Sequence, residues 1–165
     1  MLLARKDDSP LCGLINISGA SRLGKPTQLT SFVTSLEELF LHTDFAKDEI
    51  VEQYRFLKAY WEAIRALFPY AFGPRYRRYI ILKAIGVYSL NMLAADLYRW
   101  CAAKRIKPTS ENTLEFLRHL KSFDWDVIRS FGGFKGVKEA HRLLLKHLAK
   151  NGVTEAIQSL RETPT

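Results

Sequence analysis

Lysine and arginine recur every four residues late in this chain, at Lys138, Arg142, Lys146 and Lys150. On a helix that spacing lays them along one ridge. Lys135 precedes them in the run Gly-Gly-Phe-Lys-Gly that starts at Gly132. A ridge of cations suits phosphate contacts, which position a protein on nucleic acid without reading its sequence. A solvated helix face gives the same pattern and needs no ligand. The glycine run offers a second chemistry. Free backbone N–H groups at a helix start, together with a lysine, can hold an anion. Gly132, Gly133, Lys135 and Gly136 are therefore a candidate anion loop, with an ordinary hinge between helices as the alternative. A nucleotide P-loop is excluded, because Gly132 and Gly136 stand one residue too close and Val137 follows where Lys-Ser/Thr is required.

Two more basic clusters stand earlier. Arg75, Arg77 and Arg78 alternate with Tyr76 and Tyr79, a combination that suits phosphate binding and base stacking. The same pattern arises when tyrosines pack inward and arginines stay in water. Arg99, Lys104, Arg105 and Lys107 close an apolar helix, where cations interact favourably with the helix dipole and need no ligand.

No catalytic constellation is visible. The histidines are His42, His119, His141 and His147, with no His-x3-His pair and no HExxH motif. Cys12 and Cys101 are far apart and in no metal-ligand spacing, which points to a reducing, cytoplasmic setting. Glu37–Glu38 and Asp7–Asp8 are neighbours in sequence, and a helix points such neighbours apart. The expectation is a non-enzyme with no cofactor and no metal.

Charge is divided along the chain. Residues 1–69 carry a net −1 and residues 70–165 a net +9. A phosphate-rich partner is one explanation, and a solubilising surface is the other.

The elements that must position these residues are read from periodicity. Residues 79–100 hold 16 apolar residues of 22, distributed most of the way round a helical wheel. That distribution marks a helix buried on several sides. A membrane span has similar length, but Lys83, Asp96 and Arg99 interrupt this one at costly depth. Gly86 inside it implies close approach by another backbone. Residues 47–68 repeat Ile50, Tyr54, Leu57, Trp61, Ile64 and Phe68 at three- and four-residue steps, a strong amphipathic pattern ended by Pro69. Residues 29–41 read as one helix. A short helix follows a cap at Thr109 or Ser110, then a helical turn led by Asp124, then helices over residues 137–150 and 154–161.

The fold expected is mainly α: a single helical domain of about six helices over residues 29–161, around the buried central helix. Residues 1–28 form an irregular segment with a short strand at 11–18, and residues 162–165 a tail. The strand has no evident partner in the chain, so it would pack as coil or pair with another protein.

In order, the runs SPLCGLINISG, TQLTSFVTSLEELF, YRFLKAYWEAIRALFP, ILKAIGVYSLNMLAADL and FGGFKGVKEAHRLLLKHL resemble the C-terminal half of DGQHR-domain proteins. These include the DndB-like proteins linked to DNA phosphorothioation and related DNA-modification systems. The resemblance covers about residues 8–150 and rests on apolar, aromatic and glycine positions, among them Lys83, Gly86, Gly133 and Gly136. The family's naming motif lies in an N-terminal, ParB-like half. This chain has no Asp-Gly followed by Gln-His-Arg, and His141–Arg142 follows Ala140 within a helix pattern. The resemblance therefore implies a truncated or split version without catalytic residues, associated with DNA, with transcriptional control or with a DNA-modification defence system. It also implies that strand 11–18 docks to a separate sheet-bearing chain. That docking role, and a remnant anion-binding enzyme built on the glycine loop, are the alternatives to DNA association.

Overall fold

A computed structural model describes residues 2–5, 7–16 and 27–153. It is mainly helical, as the periodicity requires, with one very short parallel sheet near the N-terminus. In chain order the elements are α1 (Leu2–Arg5), β1 (Ile15–Asn16), β2 (Thr27–Gln28), α2 (Leu29–Thr34), α3 (Glu37–Leu41), α4 (Ile50–Leu67), α5 (Ala84–Lys104), α6 (Ser110–Leu117) and α7 (Gly133–Lys150). Short 3-10 turns join them.

Helix α5 packs most closely on α7 and α3, and α4 on α6, with Tyr60 and Trp61 of α4 reaching Leu90 and Asn91 of α5. On α4, Phe56, Leu57, Tyr60, Trp61, Ala63 and Ile64 are buried, which is one face of a helix. On α5 the buried positions run from Gly86 through Cys101 and take most of the circumference, leaving Ile85, Tyr88, Met92, Asp96 and Arg99 half-buried along one edge. Among the described residues no helix is long and apolar enough to cross a membrane.

The start of the central helix differs from the expectation of residue 79. Ile80, Ile81 and Leu82 are buried but not helical, and α5 begins at Ala84. Gly86 supplies the reason. A Cβ there would lie 2.2 Å from the Ile80 carbonyl oxygen and 2.7 Å from that of Ile81. The incoming backbone thus crosses directly over the first turn of α5, and only glycine leaves it room. Thr27 Oγ1 donates to the Leu82 carbonyl at 3.0 Å and ties β2 to the same segment. At the other end Arg105 adopts a left-handed φ of 54°. Its N–H reaches the Ala102 carbonyl, and Ile106 N–H reaches that of Cys101.

Residues 29–41 do not form one helix. They break at Ser35–Leu36 into α2 and α3. Ser35 Oγ donates to the Phe32 carbonyl at 2.6 Å and accepts from Asn91 Nδ2 at 2.6 Å. Asn91 Oδ1 in turn accepts from Trp61 Nε1 at 3.2 Å. A serine that bonds its own backbone competes with helix continuation, and here α5 holds it in place. This buried polar chain joins α2, α4 and α5.

The strand expected over 11–18 is also corrected. Leu11–Leu14 is turn, with Gly13 at a φ of 73°. Only Ile15–Asn16 is extended, and it pairs in parallel with Thr27–Gln28 of the same chain. The partner is internal because the chain returns to it through residue 27. Residues 17 and 18, the helix expected over 154–161 and the tail at 162–165 lie outside the described residues.

The glycine run is not a flexible loop. Gly132 is the N-cap of α7, Gly133 starts it at a φ of 62°, and Gly136 sits in its first turn against Phe131. The helix therefore begins four residues before Val137. Thr109 caps α6 by accepting from Asn112 N–H, and Asp124 caps the 3-10 turn Trp125–Ile128 through Asp126 N–H.

Candidate nucleic-acid interface

Helices α5 and α7 pack side by side and start at the same end of the molecule. Lys83 to Ile85 and Gly132 to Phe134 line one cleft of about 980 Å³. Trp100 and Lys104 meet Gly152 and Val153 at the opposite end. Neither start is capped by a side chain. In α7 the first internal bond is Gly136 N–H to the Gly132 carbonyl, so the N–H groups of Gly133, Phe134 and Lys135 stay outside the helical ladder. Around these starts stand Lys83, Arg129 and Lys138, with Tyr88, Met92 and Leu41 as an apolar wall. Glu38 and His42 border the α3 side.

The ridge residues Lys135, Lys138, Arg142, Lys146 and Lys150 are all exposed on α7. They are not equivalent. A four-residue step overshoots a full turn by about 40°, so the row winds round the helix. Lys138 Nζ lies 4.8 Å from the exposed Phe134 ring, beside the cleft. Arg142 is engaged by Glu139 through two hydrogen bonds, from Nε at 2.8 Å and Nη2 at 2.5 Å. Those bonds hold the Glu139 carboxyl below its ordinary range and raise the Arg142 guanidinium. Lys135, Lys138, Lys146 and Lys150 have no ion pair among the described residues.

The other basic clusters go elsewhere. Arg75 and Arg78 are exposed on the turn before α5 and do not line the cleft. Arg77 lies in the 3-10 turn Tyr76–Arg78, and its side chain is outside the described residues. Tyr76 and Tyr79 pack on the core, Tyr79 with its ring 4.5 Å from that of Tyr70. They are not free for stacking on bases. Arg99 binds Glu38 at 2.8 Å, Asp96 at 3.4 Å and the His42 carbonyl at 3.1 Å. Lys104 covers the Trp100 ring at 4.5 Å, and Arg105 forms the C-cap.

Sequence reasoning did not place Lys83 or Arg129 in a site. Arg129 comes to the cleft because Asp126, three residues before it, holds its guanidinium at 2.6 Å and 2.9 Å. That i, i+3 spacing was visible, whereas its approach to Lys83 depends on how α5 meets α7.

Three groups invite a catalytic reading and do not carry it. His141 Nε2 donates to Asp96 Oδ2 at 2.5 Å, part of the chain Glu38–Arg99–Asp96–His141 that ties α3, α5 and α7 together. His147 Nε2 lies 2.9 Å from the His119 carbonyl and 3.1 Å from Ser122 Oγ. A carbonyl only accepts, so that nitrogen carries the proton and cannot take one from Ser122. Burial pushes the Cys101 thiol up to about 11, opposite to what a thiolate nucleophile needs. Among the described residues no group of three or more His, Cys, Asp or Glu is placed to hold a metal ion.

No protein-family model matches this chain, and neither the curated proteins nor the solved structures contain a match.

Proposed function

We propose that this chain is a non-catalytic module that binds the phosphate backbone of DNA through the outer face of α7 and the basic end of the α5–α7 cleft. One observation carries the reading. Lys135, Lys138, Lys146 and Lys150 stand exposed along α7 and make no ion pair among the described residues, with Lys83 at the cleft beside Lys138; Glu139, which also attracts Lys146, is itself held by Arg142. Like charges on one helix face repel each other, and a polyanion turns that cost into attraction. The two uncapped helix starts in the cleft add positive potential of the same sign. Arg75 and Arg78 form a separate exposed patch on the turn before α5, apart from the cleft.

The resemblance to the C-terminal half of DGQHR-domain proteins supports the same direction. On that reading the module serves a DNA-modification or defence system in the cytoplasm, and the missing Asp-Gly and Gln-His-Arg residues fit a part without nuclease chemistry. The sheet-docking alternative loses its main support, because Ile15–Asn16 pairs within the chain.

The test is binding to duplex DNA as a function of salt. Backbone contacts release counterions, so affinity should fall steeply, with a log–log slope of about −0.9 per phosphate neutralised. The variant Lys135→Ala/Lys138→Ala/Lys146→Ala should weaken binding on all sequences and flatten the slope by roughly 3. Arg142→Ala should matter less, because Glu139 already holds that guanidinium. Unchanged affinity and slope in the triple variant would remove the interface from α7.

A further inference from the structure

The opposite chemistry gathers where α1, α2, α3 and the first turn of α4 meet. A groove of about 600 Å³ opens there, with Leu3, Ile15, Phe32, Leu36 and Leu57 in its lining. Its lip includes Val33 at 55% exposed, and Leu41 and Ile50 each at 71%. Val51 follows at 57%. Isolated exposed aliphatics need no explanation, but several gathered on an apolar groove mark a contact surface. The polar groups nearby are largely engaged. The Gln53 amide donates to the Phe45 and Asp48 carbonyls, at 3.1 Å and 3.0 Å.

The charge around this groove is predominantly acidic, with Arg5 at the end of α1 as a cation on its far wall. Residues 29–57 carry a net −4. Their cations, Lys47 and Arg55, are held by Asp44 and Glu52. Glu38 is taken by Arg99. Glu37 in the lining, and Glu49 next to Ile50, keep carboxylates with no ion pair among the described residues.

We infer that this groove receives the apolar face of an amphipathic helix from a partner protein, with lysine or arginine flanking that face. Apolar anchors at i, i+3, i+4 and i+7 are the usual way a helix fills a groove between helices. The acidic surroundings select basic flanks and oppose nucleic acid or an anionic membrane. A strand is the wrong shape, since β1 and β2 are two residues each and offer almost no edge to extend. This groove adjoins the α5–α7 cleft along α3, where Glu37 and Leu41 line both, but it lies away from the outer face of α7 and its reading does not depend on DNA binding.

The experiment titrates the full chain into two labelled synthetic helices, read by fluorescence anisotropy. Both present Leu at i, i+3, i+4 and i+7. One has Lys on the flanking positions and the other Glu. The Lys-flanked peptide should bind saturably, at least about tenfold tighter than the other, and weaken with salt. Leu41→Asp/Ile50→Asp and, separately, Glu37→Lys/Glu49→Lys should each raise its Kd about tenfold or more. Val127→Asp, at another exposed aliphatic, should leave it unchanged. Equal affinity for both peptides, no binding, or undiminished binding in Leu41→Asp/Ile50→Asp overturns the inference. So does a dimer of the free chain, seen by light scattering, that Leu41→Asp/Ile50→Asp dissolves, because the occupant is then a second copy. Lys-flanked peptide binding that appears only after residues 17–26 are replaced by Gly-Ser overturns it as well, because the chain then fills its own groove.

Discussion

Helices α5 and α7 lie side by side with a common starting end, and they have opposite relations to water. Along α5, Leu90, Leu93, Ala94, Ala95 and Leu97 have no exposed surface, and only one half-buried edge of the helix is left open. Along α7, Val137, Ala140, Leu144, Leu145 and Leu148 are buried in one stripe, and the other side carries lysines. A helix buried on most sides fixes where its neighbours stand, and what α5 offers a partner is limited to its start and the edge of Ile85, Tyr88 and Met92 in the cleft. A one-sided helix is held by its stripe, which leaves the outer residues free to be chosen for charge. The comparison therefore separates two kinds of substitution. Changes in α5 should be read in stability, and changes on the outside of α7 should be read in binding.

The largest effect is expected at Gly86. Alanine normally improves a helix interior by about 1 kcal/mol over glycine. Here its Cβ would meet the Ile80 and Ile81 backbone at 2.2 to 2.9 Å, and a main-chain obstacle cannot rotate away. Gly86→Ala should lower unfolding free energy by about 3 kcal/mol or more, measured by denaturant titration. A neutral or stabilising result would mean that the segment before α5 does not cross it closely, and the enclosed helix would lose its defining contact.

A smaller loss is expected one turn further on. Asn91 is fully buried and links Trp61 Nε1 to Ser35 Oγ. Asn91→Ala leaves the indole N–H without its acceptor and frees the α2–α3 break from α5. The expected cost is about 2 kcal/mol. Ser35→Ala should cost less, since the indole keeps its partner. An equal loss in the two variants would show that the break itself, rather than the indole bond, is what Asn91 secures.

These two sites show what the residue order reveals and what it conceals. The apolar repeats of α4 and α7 were legible because each helix has one buried face and a repeat near 3.6. The enclosed character of α5 was legible from apolar residues all round its wheel. The cap at Asp124 was legible because a cap is a local bond. The break at Ser35 was not, because its cause is Asn91, 56 positions later. The late start of α5 was hidden for a related reason. The run Ile80–Ile81–Leu82 is apolar enough to continue a helix, and only the crossing over Gly86 forbids it. The basic row on α7 was visible as spacing, but Glu139 divides it, and the approach of Lys83 and Arg129 to Lys138 belongs to the packing of α5 on α7. The acidic groove had no sequence signature beyond net charge, since its lining comes from five elements, α1, β1, α2, α3 and α4.

The smallest effect on stability is expected from Lys146→Ala/Lys150→Ala, and that smallness makes it decisive. Both side chains are exposed and without an ion pair among the described residues, so no contact is lost with them. Lys150 lies in the last turn of α7, where a cation interacts favourably with the helix dipole. Removing it forfeits that interaction, while removing Lys146 relieves repulsion along the row and gives up an attraction to Glu139. Alanine also favours a helix slightly more than lysine. These contributions oppose each other, and Tm should move by about a degree or less. DNA affinity should nevertheless fall, with a flatter salt dependence. If Tm instead dropped as steeply as in a core variant of α5, the outer face of α7 would be part of the packing. The two helices would then differ only in degree, and the row of lysines would no longer stand as a surface kept for a partner.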